Sequence, residues 1–128
     1  MDGDALLDLA RAAAERASAP YSLFPVGAAV ETEDGRLFPG CNIESTSFGL
    51  TVCAERVAIF SAIAAGGHPS QLAVTCLKGD PQQPDSLMPC GACRQVMLDQ
   101  MGPDAPVYVD GVGAFTVGEL MPRGFRLP

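Results

Sequence analysis

Three cysteines stand at the heads of two helix-like runs, Cys53 opening "CAERVAIFSAIAAG" and Cys90 and Cys93 opening "CGACRQVMLDQ". Thiolate sulfur binds zinc readily, and C-x-x-C spacing at a helix start lets one segment clamp an ion with two sulfurs. Cys53 supplies a candidate third. A catalytic zinc takes three protein ligands and leaves a position for water, whose pKa it lowers to roughly 7. Two helix N-termini aimed at one point bring positive potential that favours thiolate over thiol. Three thiolates around a divalent cation leave a net charge of about −1, which Arg56 and Arg94 are placed to offset. Glu55, two positions after Cys53, is the carboxylate available to move protons at a metal-activated water. Positions i and i+2 do not share a helical face. A cysteine at the cap lies outside the helix proper, however, so Glu55 can point past it. The residues by themselves reach zinc-assisted hydrolysis.

Two rival readings compete. Cysteine is among the most buried residue types, so a helix-head cysteine can simply pack. A redox Cys-Gly-Ala-Cys pair would also use a helix start to lower a thiol pKa, but it leaves Cys53 and Glu55 without a role. Cys41 and Cys76 fall in strand-like runs and read as core or strand-end thiols, and His68 lies in a Gly-Gly-His-Pro turn that reads as solvated.

The elements that must position these groups follow from pattern. Residues 4–17 carry an apolar stripe of Leu6, Leu9, Ala10, Ala13 and Ala17, with Asp2 or Asp4 as cap, and predict a helix broken by "SAPYSLFP". "VGAAVETEDGRLFPGCNIES" predicts two strands around an Asp34-Gly35 turn. Residues 53–65 are apolar nearly all round and stop at Gly66-Gly67, which predicts a buried helix. "LAVTCL" reads as a central strand and residues 91–101 as a second helix, ending before Gly102-Pro103, with Pro89 near its start. "PVYVD" and "AFTV" are joined by a link too short for a parallel crossover, so they predict a terminal hairpin, and "GELMP" adds a last helical turn. Together these give one mixed sheet covered by helices.

The 128 residues are expected to form a single domain, 1–128. The N-terminal segment has neither a long apolar run nor a basic start, which predicts no secretory leader and no membrane association. An odd set of five cysteines then fits a reducing, cytoplasmic setting, where C-x-x-C means metal or redox chemistry. A formal charge of −7, with eight basic against fifteen acidic residues and no tryptophan, argues against a nucleic acid polymer as partner.

"CAER" with "PCGACRQ" closely resembles the small, homotetrameric, three-cysteine cytidine deaminases of the cytidine and deoxycytidylate deaminase family. "APYSLFPVGAAV", "GCNIESTSFGLTVCAER" and "TVGELMPRGF" resemble that family at corresponding places, from about residue 4 to 125. The resemblance implies an α/β fold with three α/β/α layers and a five-stranded mixed sheet, one Zn²⁺ per chain on Cys53, Cys90 and Cys93, and Glu55 as proton shuttle. It implies that Arg56 tempers the sulfur charge, that Phe24 packs on the pyrimidine, and that Asn42 and Glu44 grip the ribose. Ala54 would join the substrate contacts, and Phe125 would reach a neighbouring subunit's pocket in a homotetramer. Period-2 geometry independently puts 42 and 44 on one face of a strand.

The implied reaction is hydrolytic deamination of cytidine and 2'-deoxycytidine to the uridines with loss of ammonia, in pyrimidine salvage. Alternatives are a deaminase of a modified cytosine nucleoside such as a blasticidin-type antibiotic, or a structural zinc protein without activity. Three positions depart from the family pattern near the expected pocket: Met88 before Pro89, Phe48, and Lys78 at the end of the central strand.

Overall fold

Strand β1 (Val26–Thr32) is the hinge of the architecture. It pairs antiparallel with both β2 (Leu37–Cys41) and β3 (Pro69–Cys76). In this computed structural model, which describes residues 1–128, β3 continues in parallel to β4 (Pro106–Val109), and β4 turns back into β5 (Gly113–Thr116). The sheet is therefore five-stranded and mixed, in the order β2-β1-β3-β4-β5. Helix α1 (Gly3–Ala14) covers one face, while α2 (Ala54–Ala64) and α3 (Gly91–Met101) share the other. A short α4 (Val117–Leu120) closes the end. The three layers and the terminal antiparallel hairpin agree with the sequence expectation.

The alternation of side chains along the strands separates two cores. Ala28, Val30, Leu72, Val74, Val107 and Val109 meet α2 and α3 in the larger one, with Ile59, Met97 and Leu98. On the other face, Ala29 and Ala73 meet Leu6 and Ala10 of α1. Small residues dominate there, and the helix comes close.

Three elements differ in extent from the sequence reading. Strand β2 stops at Cys41, so Asn42 and Glu44 lie past the strand, on either side of Ile43, which makes only isolated bridges to Ser18 and Val52. Helix α1 ends at Ala14 rather than at 17, because the chain leaves to pair beside residue 43: the Ser18 amide donates to Asn42 O at 3.0 Å. Strand β3 begins at Pro69, three residues before the apolar run. Ser70 and Gln71 look unlike a buried strand, yet the register of β1 recruits them: Gln71 lies opposite Glu31 and Pro69 opposite Thr32, with Ser70 at the bulge between. Proline is tolerated there as the strand's first residue. His68 is exposed, as expected of a loop residue, with Nε2 3.6 Å from Glu33.

Two glycines set how closely the helices lie on the hairpin. A Cβ on Gly27 would overlap Ala10 O of α1, and one on Gly40 would overlap Ala54 O of α2. Both contacts are backbone against backbone, so no side-chain rotation relieves them. Gly40→Ala is expected to cost about 3 kcal/mol, seen as a lowered thermal midpoint, and to loosen the head of α2. A midpoint equal to the parent's would show that α2 can lift without loss.

Candidate active site

Cys53 and Cys90 occupy the same local position on two helices. Each is the N-cap residue, with φ −69° and extended ψ, and neither sulfur caps its own helix. The sulfurs are thus free to face each other across the gap between α2 and α3, where the positive ends of both helices converge. Cys90 Sγ lies 3.8 Å from Cys53 Sγ and 3.6 Å from Cys93 Sγ, and all three atoms fall within 4.8 Å of one another. A tetrahedral zinc with bonds of about 2.3 Å requires sulfurs roughly 3.8 Å apart. The set fits the ion.

The charges around the sulfurs agree with that fit. Arg56 Nη2 donates to Cys53 Sγ at 3.4 Å, and its Nε–H is buried with no acceptor at all. A guanidinium kept under the cluster with a donor to spare suits a group of sulfurs that carries excess negative charge. Cys53 is drawn down to about 5, chiefly by the neighbouring Cys93 thiol and then by Arg56. Cys93, beside Cys53 and buried, moves up. Arg94 does not share the work expected of it. Its Nε donates to Pro89 O at 2.8 Å and its Nη1 to Leu120 O at 3.0 Å, so it ties the head of α3 to α4 instead.

Glu55 is buried, 4% exposed, in the first turn of α2. Because Cys53 is a cap with extended backbone, the helical offset between i and i+2 does not apply, and both residues line one cleft. Burial pushes the Glu55 carboxyl up to about 7, and negative charge on Cys53 adds to the rise, while its own backbone amide, Cys93 and Arg56 pull back. A carboxyl poised near neutrality is suited to both taking and giving a proton.

The cleft measures about 410 Å³ and is also lined by Phe24, Asn42, Glu44, Ala54 and Cys90. Asn42 is nearly buried, and each end of its carboxamide already holds main chain, at Phe24 O and Val26 N. Phe125 lies outside its own chain's cleft, 68% exposed, with its carbonyl held by Gln95. Of the three departures from the family pattern, only Met88 lines the cleft. Phe48 is exposed and edge-on to Tyr21, and Lys78 borders a separate depression with Pro20 and Leu23.

Sequence reasoning missed Ser22 and Ser86; Cys76, read as a core or strand-end thiol, ends β3 and lines the cleft, a place that reading did not give it. Cys76, Val74 and Val26 share one sheet face. The period-2 pattern of β1 and β3 carried that signal, had the register been known.

Comparison with known proteins agrees with this geometry. Residues 2–109 match the family model described as the cytidine and deoxycytidylate deaminase zinc-binding region. The chain is 42% identical to the cytidine deaminase of Sporosarcina psychrophila, over 98% of this chain and 92% of that protein. It superposes on the crystal structure of the cytidine deaminase from Burkholderia pseudomallei with a TM-score of 0.87 and 44% identity, covering 98% of this chain and all of that one. A more distant relative, the blasticidin-S deaminase of Bacillus cereus, is 31% identical over 91% of this chain and 89% of its own length. With its sulfur triad, buried glutamate and matching fold, the chain belongs to the zinc-binding cytidine and deoxycytidylate deaminase family.

Proposed function

We propose that this protein hydrolytically deaminates cytidine and 2'-deoxycytidine to the corresponding uridines and ammonia. The observation that carries the reading is the joint placement of three sulfurs at tetrahedral spacing and a buried carboxyl in one nucleoside-sized cleft. Cys53, Cys90 and Cys93 would hold the zinc, which as a Lewis acid makes water nucleophilic at neutral pH. Glu55 takes the proton from the attacking water and delivers it to ring N3. It then takes the remaining proton from the oxygen now on C4 and gives it to the amino group, which otherwise leaves poorly and now departs as ammonia as the C4 carbonyl forms. Arg56 balances the sulfur charge from below, through its bond to Cys53. Phe24 holds the ring, and the remaining donor of Asn42 and the carboxylate of Glu44 hold the sugar hydroxyls. Binding energy remote from C4 is thereby used to fix the reacting carbon.

The role belongs to pyrimidine salvage in the cytoplasm, and the working form is a homotetramer. Exposed Tyr21, Leu23, Phe48, Leu50 and Phe125 support an assembly that buries them. No helix is long and apolar enough to cross a membrane.

The test is to incubate the purified protein with cytidine, deoxycytidine, cytosine, adenosine and blasticidin S, following ammonia release and the loss of the amino chromophore. Turnover of the two cytosine nucleosides is expected, with little of free cytosine or adenosine. Preference for the antibiotic would favour the second reading, for which the relationship to blasticidin-S deaminase is the motive. Zinc at one per chain with no deamination of any substrate would point to a structural zinc protein, although a closed structural site takes four ligands.

A further inference from the structure

The loop between α1 and β1 carries Phe24 into the cleft, and its shape is set by the two residues assigned to the sugar. Asn42 Nδ2 donates to Phe24 O at 3.0 Å, and its Oδ1 accepts the Val26 amide at 2.9 Å. Glu44 Oε1 accepts the amides of Tyr21 and Ser22 at 3.1 and 3.0 Å, and Oε2 accepts the Ser22 hydroxyl. Ser22 Oγ in turn accepts the Phe24 amide at 3.1 Å. Its hydroxyl therefore links the carboxylate of Glu44 directly to the main chain of the aromatic. Between them Leu23 sits at φ +56°, a left-handed conformation that leucine keeps only where its surroundings over-determine it.

A serine hydroxyl has one proton and two lone pairs. The proton goes to Glu44 and one lone pair to Phe24, so Ser22 has little left for a substrate although it lines the cleft. Glu44 is held below the ordinary carboxylate range, first by the Ser22 hydroxyl and then by the loop amides. It meets a sugar as an anion ready to accept from hydroxyls.

We propose that Ser22 is a positioning residue that couples sugar recognition to base stacking. A ribose hydroxyl bonded to Glu44 fixes that carboxylate, which through Ser22 fixes the backbone of Phe24 and hence the ring above the pyrimidine. The inference rests on the cytidine deaminase reading and adds a residue to it. Its consequence is that sugar hydroxyls raise kcat as well as lowering KM, because their binding energy is used at the reacting ring.

The experiment measures kcat and KM for cytidine and for 2',3'-dideoxycytidine in the full-length parent, Ser22→Ala and Ser22→Thr, with thermal midpoints for each. The parent is expected to turn over cytidine with the higher kcat. Ser22→Ala should shrink the cytidine-to-dideoxycytidine kcat ratio by roughly 10-fold at an unchanged midpoint, and Ser22→Thr, which keeps the hydroxyl, should restore it. A parent ratio near one overturns the proposal. So does an unchanged ratio in Ser22→Ala, whether both substrates slow equally or neither does. A parent inactive on cytidine defeats the underlying function, whereas an active parent with an unmoved ratio defeats Ser22 alone.

Discussion

Glu55→Gln is expected to lower cytidine turnover by about 10⁴-fold while the protein keeps its zinc and its fold. Glutamine fills the same space in the first turn of α2 but can neither accept the water's proton nor pass one to the leaving amine. The loss should fall on kcat, because Phe24, Asn42 and Glu44 are untouched. Stability should move the other way. An acid whose folded pKa is raised loses stability as pH climbs from its ordinary value to its folded one, here from 4.5 to about 7. The neutral amide carries no such penalty, so above pH 7 the metal-free variant is expected to be at least as stable as the metal-free parent. Steady-state kinetics with metal analysis and thermal melts at two pH values check each part. Turnover within tenfold of the parent would remove Glu55 from the mechanism.

Cys90→Ala is expected to abolish both zinc retention and turnover. Cys90 is a cleaner choice than Cys93 because it is exposed, whereas Cys93 is fully buried and its loss would also open a hole in the core. A fall in stability on replacing Cys90 therefore reports the ion rather than packing. Metal bound only by the folded chain stabilises it by about 4 kcal/mol at a thousandfold excess over Kd, and here it would also cross-link positions 53 and 90, thirty-seven apart. The variant should melt well below the zinc-loaded parent, and a strong chelator should bring the parent down to it. A variant that holds one equivalent of zinc through dialysis would contradict the ligand assignment.

The metal triad was legible in the sequence because its spacing is local to two helix heads, and each head is a capping pattern that can be read from neighbours. The cap also decided where Glu55 points. Arg94 was misjudged for the opposite reason. Its position beside Cys93 suggested the sulfurs, but its partners Pro89 O and Leu120 O are main-chain groups, one of them brought near only by the docking of α4. The strands were visible as patterns, yet the neighbours of β1 and the early start of β3 depend on register, which no local rule contains. Ser22 escaped notice because a serine in a turn is ordinary, and its meaning comes from Glu44, twenty-two positions on.

Gly27 and Gly40 bear on how such a molecule could change its diet over evolutionary time. With α1 and α2 resting directly on the hairpin backbone, the floor beneath Cys53 and Ala54 has no slack in either direction. New room for a bulkier nucleoside has to come from the walls, at the segment carrying Ser86, Leu87 and Met88 and the loop carrying Phe24. Diversification should therefore accumulate in those two stretches and leave the helix seats as they are.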